Sequence, residues 1–278
     1  MLKKSYSQLN QDLNVVSFFN SKKGLYFLDI GANDGVNLSN TYLLEKKYSW
    51  TGICSEPLPD AFKNLEEVRD VICDNNAVFS KSNLKLEFSQ SNQLSGITKF
   101  IDRHTKAKEG KQIKVNTITL QDLLKKYGAP KIIHYMSLDT EGSEYEILKS
   151  VNLKEYIFLY INLEHNGVEP RRTNIRNLLE NNGYIYKGPN RWDDDYIHEK
   201  TIIGKYYYDN NYDKPIEICR IDKLKFSVKS PYWDDDEGIL DPINLKIKWN
   251  RLGSGEIFYD HIKYNDKNIW EKSLNKKN

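Results

Sequence analysis

Tyr26-Phe-Leu-Asp-Ile-Gly-Ala-Asn-Asp-Gly35 is the stretch that decides the fold. Tyr26–Ile30 is a short apolar run broken only by Asp29, as a buried parallel strand is. Gly31, Asn33, Asp34 and Gly35 then make a turn, and a helical pattern begins near Ser39. Glycine allows the backbone to turn sharply and to approach a ligand where a side chain would collide. In an open α/β sheet this turn lies at the carboxyl end of the first strand, where ligands bind. A dinucleotide site has GxGxxG here, with helix-start amides on a pyrophosphate. This chain has DxGxNDG instead, and a carboxylate in the turn repels a pyrophosphate.

Outward from the turn, short apolar runs recur at 50–54, 71–73, 132–138 and 157–163. Helical patterns at 40–47, 61–69, 120–127, 143–150 and 173–182 separate them. Such alternation predicts an open parallel α/β sheet. Residues 81–115 are less regular, with a strand expected at 84–88 and then a polar loop over the site or a surface insertion. After residue 204 the texture changes to strand-like alternation at 217–221, 224–228, 245–249 and 256–262. The chain therefore divides into 1–204 and a small C-terminal β-rich domain or extension, 205–278. The run Trp233-Asp-Asp-Asp-Glu-Gly reads as a solvated acidic loop rather than a cation site.

The strand tips carry the chemistry. Glu56 ends the second strand, where one carboxylate can accept both hydroxyls of a ribose. Asn76 and the backbone of Ala77 follow the third strand, placed to meet an adenine edge. With Asp29, Gly31, Asn33 and Gly35 these residues describe a pocket for a nucleoside without phosphate but with positive charge. S-adenosylmethionine (SAM), with its ammonium and sulfonium groups, fits that description better than NAD.

The chain's 278 residues carry 41 Lys plus Arg against 39 Asp plus Glu, a net charge of +2 that gives no case for nucleic-acid binding. Three separated cysteines show neither zinc spacing nor a disulfide framework. No apolar run behind the first residues reads as a signal peptide, and none is long enough to span a bilayer. A cytoplasmic enzyme is the expectation.

Several stretches together resemble the FkbM-type SAM-dependent O-methyltransferases: SQLNQD at residues 7–12, FLDIGANDG at 27–35, SNTYLLEK at 39–46 and GICSEPLP at 52–59. NAVF at 76–79, LSGI at 94–97, SLDTEGSEYEILKS at 137–150 and LEHN at 163–166 continue the match in order. The resemblance implies the SAM-methyltransferase version of the Rossmann-like α/β sheet, with helices on both faces and a reversed last strand. It also implies methyl transfer to a hydroxyl, with a sugar or glycan foremost. It does not reach the last 70 or so residues.

Asp139 lies at the fourth strand tip, beside the SAM methyl group and so also a cofactor-binding candidate, and Glu141 and Glu144 follow within a turn. The apolar fifth strand ends in Glu164-His165-Asn166. O-methylation removes a hydroxyl proton, so a positioned base helps. His165 is the first choice because its ordinary pKa is near neutrality, with Asp139 and Glu164 to orient it or bind the acceptor. Asp139, Glu141 and Glu164 are also candidate ligands for Mg²⁺. Glu144 reads as a helix-start residue and His134 as a core residue. Asp194 or Asp195 is set against the acceptor or in a solvated acidic loop. Gln11 and Asp12 are expected to close over the pocket, with helix capping by Ser7 or Asn10 as the competing role. Two rival functions stand beside methyl transfer: an oxidoreductase acting on a sugar nucleotide, and a non-catalytic nucleoside- or glycan-binding protein. The oligomeric state stays open.

Overall fold

The computed structural model describes residues 4–208, 214–263 and 269–272. Residues 1–3 and 273–278, at the outer ends of the two expected units, lie outside the described residues, as do 209–213 and 264–268. The chain opens with helix α1 (Gln11–Phe18) and strand β1 (Tyr26–Ile30). Helix α2 (Tyr42–Tyr48), β2 (Thr51–Ser55), α3 (Pro59–Val68) and β3 (Ile72–Asp74) follow. Next come β4 (Ala77–Phe79), β5 (Lys85–Gln90), β6 (Gly96–Ile97), β7 (Lys111–Thr119) and α4 (Leu120–Lys126). The alternation resumes with β8 (Ile132–Leu138), α5 (Glu144–Leu148), β9 (Ile157–Glu164), α6 (Arg171–Glu180), β10 (Tyr184–Asn190) and β11 (Asp193–His198).

Seven strands form the central sheet in the order β10-β11-β9-β8-β1-β2-β3. The five from β9 to β3 run parallel, and β11 is antiparallel to both β9 and β10. This is the reversed last strand that the resemblance implies. The chain reverses its direction of travel across the sheet between β1 and β8, so their carboxyl ends leave a crevice. Every residue of β9 is buried, and Phe27–Ile30 of β1 are buried as well. That is why these runs read as continuous apolar stretches.

The irregular region forms a four-stranded sheet, β4-β7-β5-β6. Ser89 and Gln112 tie the segment between β6 and β7 to it: Ser89 donates to the Ala107 carbonyl, and Gln112 donates to the Lys108 and Gly110 carbonyls. A sequence pattern could not show this, since the strands are short and half exposed.

The C-terminal part is a closed antiparallel barrel. Its strands are β12 (Gly204–Tyr208), β13 (Ile216–Asp222), β14 (Lys225–Lys229), β15 (Asp236–Asp241), β16 (Lys246–Trp249), β17 (Gly253–Ile257), β18 (His261–Lys263) and β19 (Ile269–Lys272). Phe226, Val228, Ile247 and Trp249 fill it, in one apolar cluster with Phe18, Phe19 and Trp50 of the first part. His134 sits at that junction. Its Nδ1 accepts from the Tyr26 N–H at 3.2 Å and its Nε2 faces the Tyr259 hydroxyl at 3.3 Å. Burial pulls its pKa down to about 4, so the ring is neutral and structural. The Trp233 acidic run is partly folded into the barrel rather than solvated. Asp236 is buried and accepts from the N–H groups of Glu237, Arg251 and Leu252. Among the described residues no helix is long and apolar enough to cross a membrane.

Candidate active site

A cavity of about 510 Å³ opens at the carboxyl ends of the central strands. Gly31, at φ +89°, lets two strand tips meet there. A Cβ on it would lie 1.8 Å from the Asp139 carbonyl oxygen, so no other residue fits. Asp29, Gly31, Asn33, Glu56, Ala77, Asp139, Glu141 and Glu164 all line this cavity.

Glu56 is held by the turn it faces. Its Oε2 accepts from the Asn33 N–H and its Oε1 from the Leu58 N–H, both at 2.9 Å. Each oxygen keeps a second lone pair. Burial, helped slightly by Asp29, outweighs those two bonds and pushes its pKa up to about 7. Asp29 is tied down from below. Thr41 Oγ1 donates to Asp29 Oδ2 at 2.6 Å and accepts from Arg69 Nη2 at 2.9 Å. Arg69 also pairs with Glu45 and donates to the Gly35 carbonyl at 3.2 Å. Burial raises the Asp29 pKa while Arg69 and Thr41 oppose it. Sequence reasoning missed Arg69 and Thr41. A lone Arg at a helix end carries no signal until it turns under the sheet.

Two expected pocket residues stand elsewhere. Gly35 packs on α3, where a Cβ would meet Leu65 Cδ1 at 2.7 Å, so its glycine serves packing. Asn76 turns back on Asp74, its Nδ2 donating to Asp74 Oδ1 at 2.8 Å, and only its neighbour Ala77 reaches the cavity.

Asp139, Glu141 and Glu164 each offer a carboxylate oxygen within 4.8 Å of the others. Asp139 is open to the cavity space yet surrounded by protein, and its pKa is raised well above the usual range, by burial first and then by Glu141 and Asp193. Glu164 is raised strongly too, by burial and then Asp139. Like charges this close in a low dielectric oppose one another's ionisation. Glu141, at φ +57°, is pushed up to about 7 by burial and Glu144. Glu144 lies beneath, its Oε1 accepting from the N–H groups of Thr140 and Gly142.

His165 does not join them. Its backbone N–H donates to the Trp192 carbonyl, and its Nδ1 accepts from the Gly167 N–H at 2.7 Å. Its Nε2 points to Asp194, 3.5 Å away, on the side of the strand opposite the cavity wall formed by Glu164 and Asn166. The lone pair a base needs is already engaged, and burial lowers the pKa. Strand alternation explains this: neighbours at a strand end face opposite ways. Accordingly, His165→Gln is expected to keep methyl-transfer kcat within about tenfold, below the usual 10²–10⁴ loss for a missing general base; a radiolabel transfer assay checks it.

The acidic run at 193–195 is a buried strand, not a solvated loop. Asp194 is gripped by Arg172 at 2.8 and 2.7 Å, and Asp195 by Tyr160 and Asn162 at 2.7 Å each. Neither reaches the cavity. Gln11 does, and its Nε2 donates to Asp193 at 2.8 Å. Asp12 instead holds the preceding segment, accepting from Ser5, Ser7 and the Tyr6 N–H. Asn10 starts α1 without a side-chain cap. The polar segment at 91–104 lies on the cavity and contributes Asn92, Gln93, Arg103 and His104, while Trp192 adds an aromatic wall. None of these was singled out in the sequence, because they come together only through tertiary contacts.

The family model described as "Methyltransferase FkbM domain" matches residues 29–186. No curated protein matches the chain. Among solved structures, one titled "METTL16 MTase domain" is 13% identical, with a TM-score of 0.39, over 71% of this chain and 68% of that one. Another, "delta-N METTL16 MTase domain", is 15% identical, with a TM-score of 0.37, over 71% of this chain and 83% of that one. The matched span runs from Asp29 at the tip of β1 through the Glu164 tip of β9 and into β10, and this chain belongs to the FkbM methyltransferase family.

Proposed function

We propose that this methyltransferase, whose family uses SAM as donor, methylates a hydroxyl group, with a sugar or glycan as acceptor. The residues fit the donor: the Gly31 turn lines the cavity, and Glu56 presents two free lone pairs there. Bound SAM supplies an electrophilic methyl carbon. The observation carrying the hydroxyl reading is the close pair of raised carboxylates, Asp139 and Glu164, on the cavity wall. The ionised member accepts the proton of an incoming hydroxyl as the new carbon–oxygen bond forms, and the carbon–sulfur bond releases its electrons to sulfur. Trp192 gives a face on which a sugar ring can stack, and Asn166 and Gln11 offer hydrogen bonds to its other hydroxyls.

Incubation with methyl-labelled SAM and a panel of sugars, nucleotide sugars and oligosaccharides tests this. Label in a base-stable ether supports it; label found only on amines or as a base-labile ester overturns it.

One further observation favours an addition. Glu164 Oε2 is buried without a hydrogen-bond partner, beside two other carboxylates. A divalent cation such as Mg²⁺ would satisfy it, with oxygen ligands from Asp139, Glu141 and Glu164. A Mn²⁺ titration followed by electron paramagnetic resonance should then show one site that Glu164→Gln removes. An unbroken free-ion signal in the unaltered protein would rule the cation out.

A further inference from the structure

The segment between β6 and β7 rests directly on the β8 tip. A Cβ on Gly142 would lie 2.1 Å from the Phe100 carbonyl oxygen, and one on Gly96 would lie 3.2 Å from Glu141 Cβ. One side chain bridges these parts. Arg171, the first residue of α6, donates through Nη1 to Asp102 Oδ2 at 2.5 Å and to the Gly142 carbonyl at 3.0 Å. Its Nη2 donates to the His165 carbonyl at 3.4 Å, and its Nε lies 3.6 Å from Glu144 Oε2. Each partner adjoins cavity-lining residues. Asp102 precedes Arg103 and His104, Gly142 follows Glu141, and His165 lies between Glu164 and Asn166.

We propose that Arg171 is the positioning residue of the acceptor side. It sets the basic wall of Arg103 and His104 at a defined distance from the acidic floor of Glu141 and Glu164. The name "acceptor side" rests on the methyl-transfer reading above; the mechanical claim does not. A planar guanidinium with five donors in a rigid fork can hold three segments at once, whereas a Lys ammonium on a flexible stem cannot. Each segment hangs on its own strand or helix, so losing the bridge slackens their mutual placement without unfolding them. Glu141, held in a left-handed conformation between Gly96 and Gly142, feels the loss first.

Amide hydrogen exchange on the full chain tests this in Arg171→Lys, Asp102→Asn and Asp102→Glu, alongside calorimetry with S-adenosylhomocysteine. Exchange over residues 97–109 and 140–143 is expected to quicken about tenfold in the first two variants, as the loss of a charge-assisted bond would give. Residues 31–35 and 56–58 should stay as protected as before, with an unchanged dissociation constant for S-adenosylhomocysteine. Asp102→Glu, which keeps the charge, should restore most of the protection. With the acceptor found by the transfer assay, KM for that acceptor should rise in Arg171→Lys while KM for SAM holds. Unchanged exchange at 97–109 in both disruptive variants overturns the proposal, as does loss of protection spread evenly over the chain. Failure of the unaltered protein to bind S-adenosylhomocysteine would sink the functional reading instead, and leave the exchange result standing.

Discussion

Glu56→Ala is expected to abolish measurable binding of S-adenosylhomocysteine while leaving the fold intact. Two hydroxyl bonds to a buried carboxylate contribute about 1.5–3 kcal/mol each, so affinity should fall by at least about a hundredfold. For the unaltered protein, ligand at about 100 times its dissociation constant should add about 2.7 kcal/mol and shift thermal unfolding by several degrees. The variant should show no shift. A wild-type-sized shift in Glu56→Ala would mean that the nucleoside lies elsewhere.

The same residue predicts a pH dependence. The Glu56 pKa is raised from 4.5 to about 7. A raised carboxyl favours the folded, ligand-free protein when protonated. That contribution, of order 3 kcal/mol, is fully present below pH 4.5 and lost as pH rises through about 7. Ribose hydroxyls are donors and need the ionised carboxylate. Affinity for S-adenosylhomocysteine should therefore weaken about tenfold from pH 8 to pH 6. A titration in which affinity is flat or improves toward acid contradicts this assignment.

Asp139→Asn and Glu164→Gln should each lower kcat by roughly 10²–10⁴, the usual cost of losing a general base. Both should keep most of the affinity for S-adenosylhomocysteine, because the side-chain changes leave Glu56 and the backbone packing of Asp139 on Gly31 as they are. The double variant should lose little more than the worse single one, because two carboxylates this close act as a unit. In the unaltered enzyme kcat should rise with pH as the first of the two raised carboxyls ionises, since only an ionised member can accept from a hydroxyl. Single variants within tenfold of the unaltered kcat would leave proximity alone to carry the reaction.

Much of this was legible beforehand, and the parts that were not have a common cause. The five runs that became β1, β2, β3, β8 and β9 are apolar on both faces, and burial on both faces is visible in one dimension. Residues 91–104 carry no such periodicity, and the barrel strand at 236–241 buries only alternate residues. His165 was misplaced for a related reason. The sequence shows that a strand ends in Glu-His-Asn, but which of three adjacent side chains faces the crevice depends on the phase of the last strand residue. Here the Trp192 carbonyl sets it by accepting from both the His165 and Asn166 N–H groups.

By itself the sequence determined the α/β class, the crevice at the first turn and the identity of its carboxylates, because glycine and acid at a strand tip are local requirements of backbone and ligand. Only the tertiary structure decided that Asn76, Gly35 and His165 turn away, that Asp193, Asp194 and Asp195 are buried, and that Arg171 and Arg69 brace the two sides of the cavity. Except for Asn76, which folds back on Asp74, those outcomes depend on contacts between residues tens of positions apart, and on how much water remains around each charge once the chain has closed.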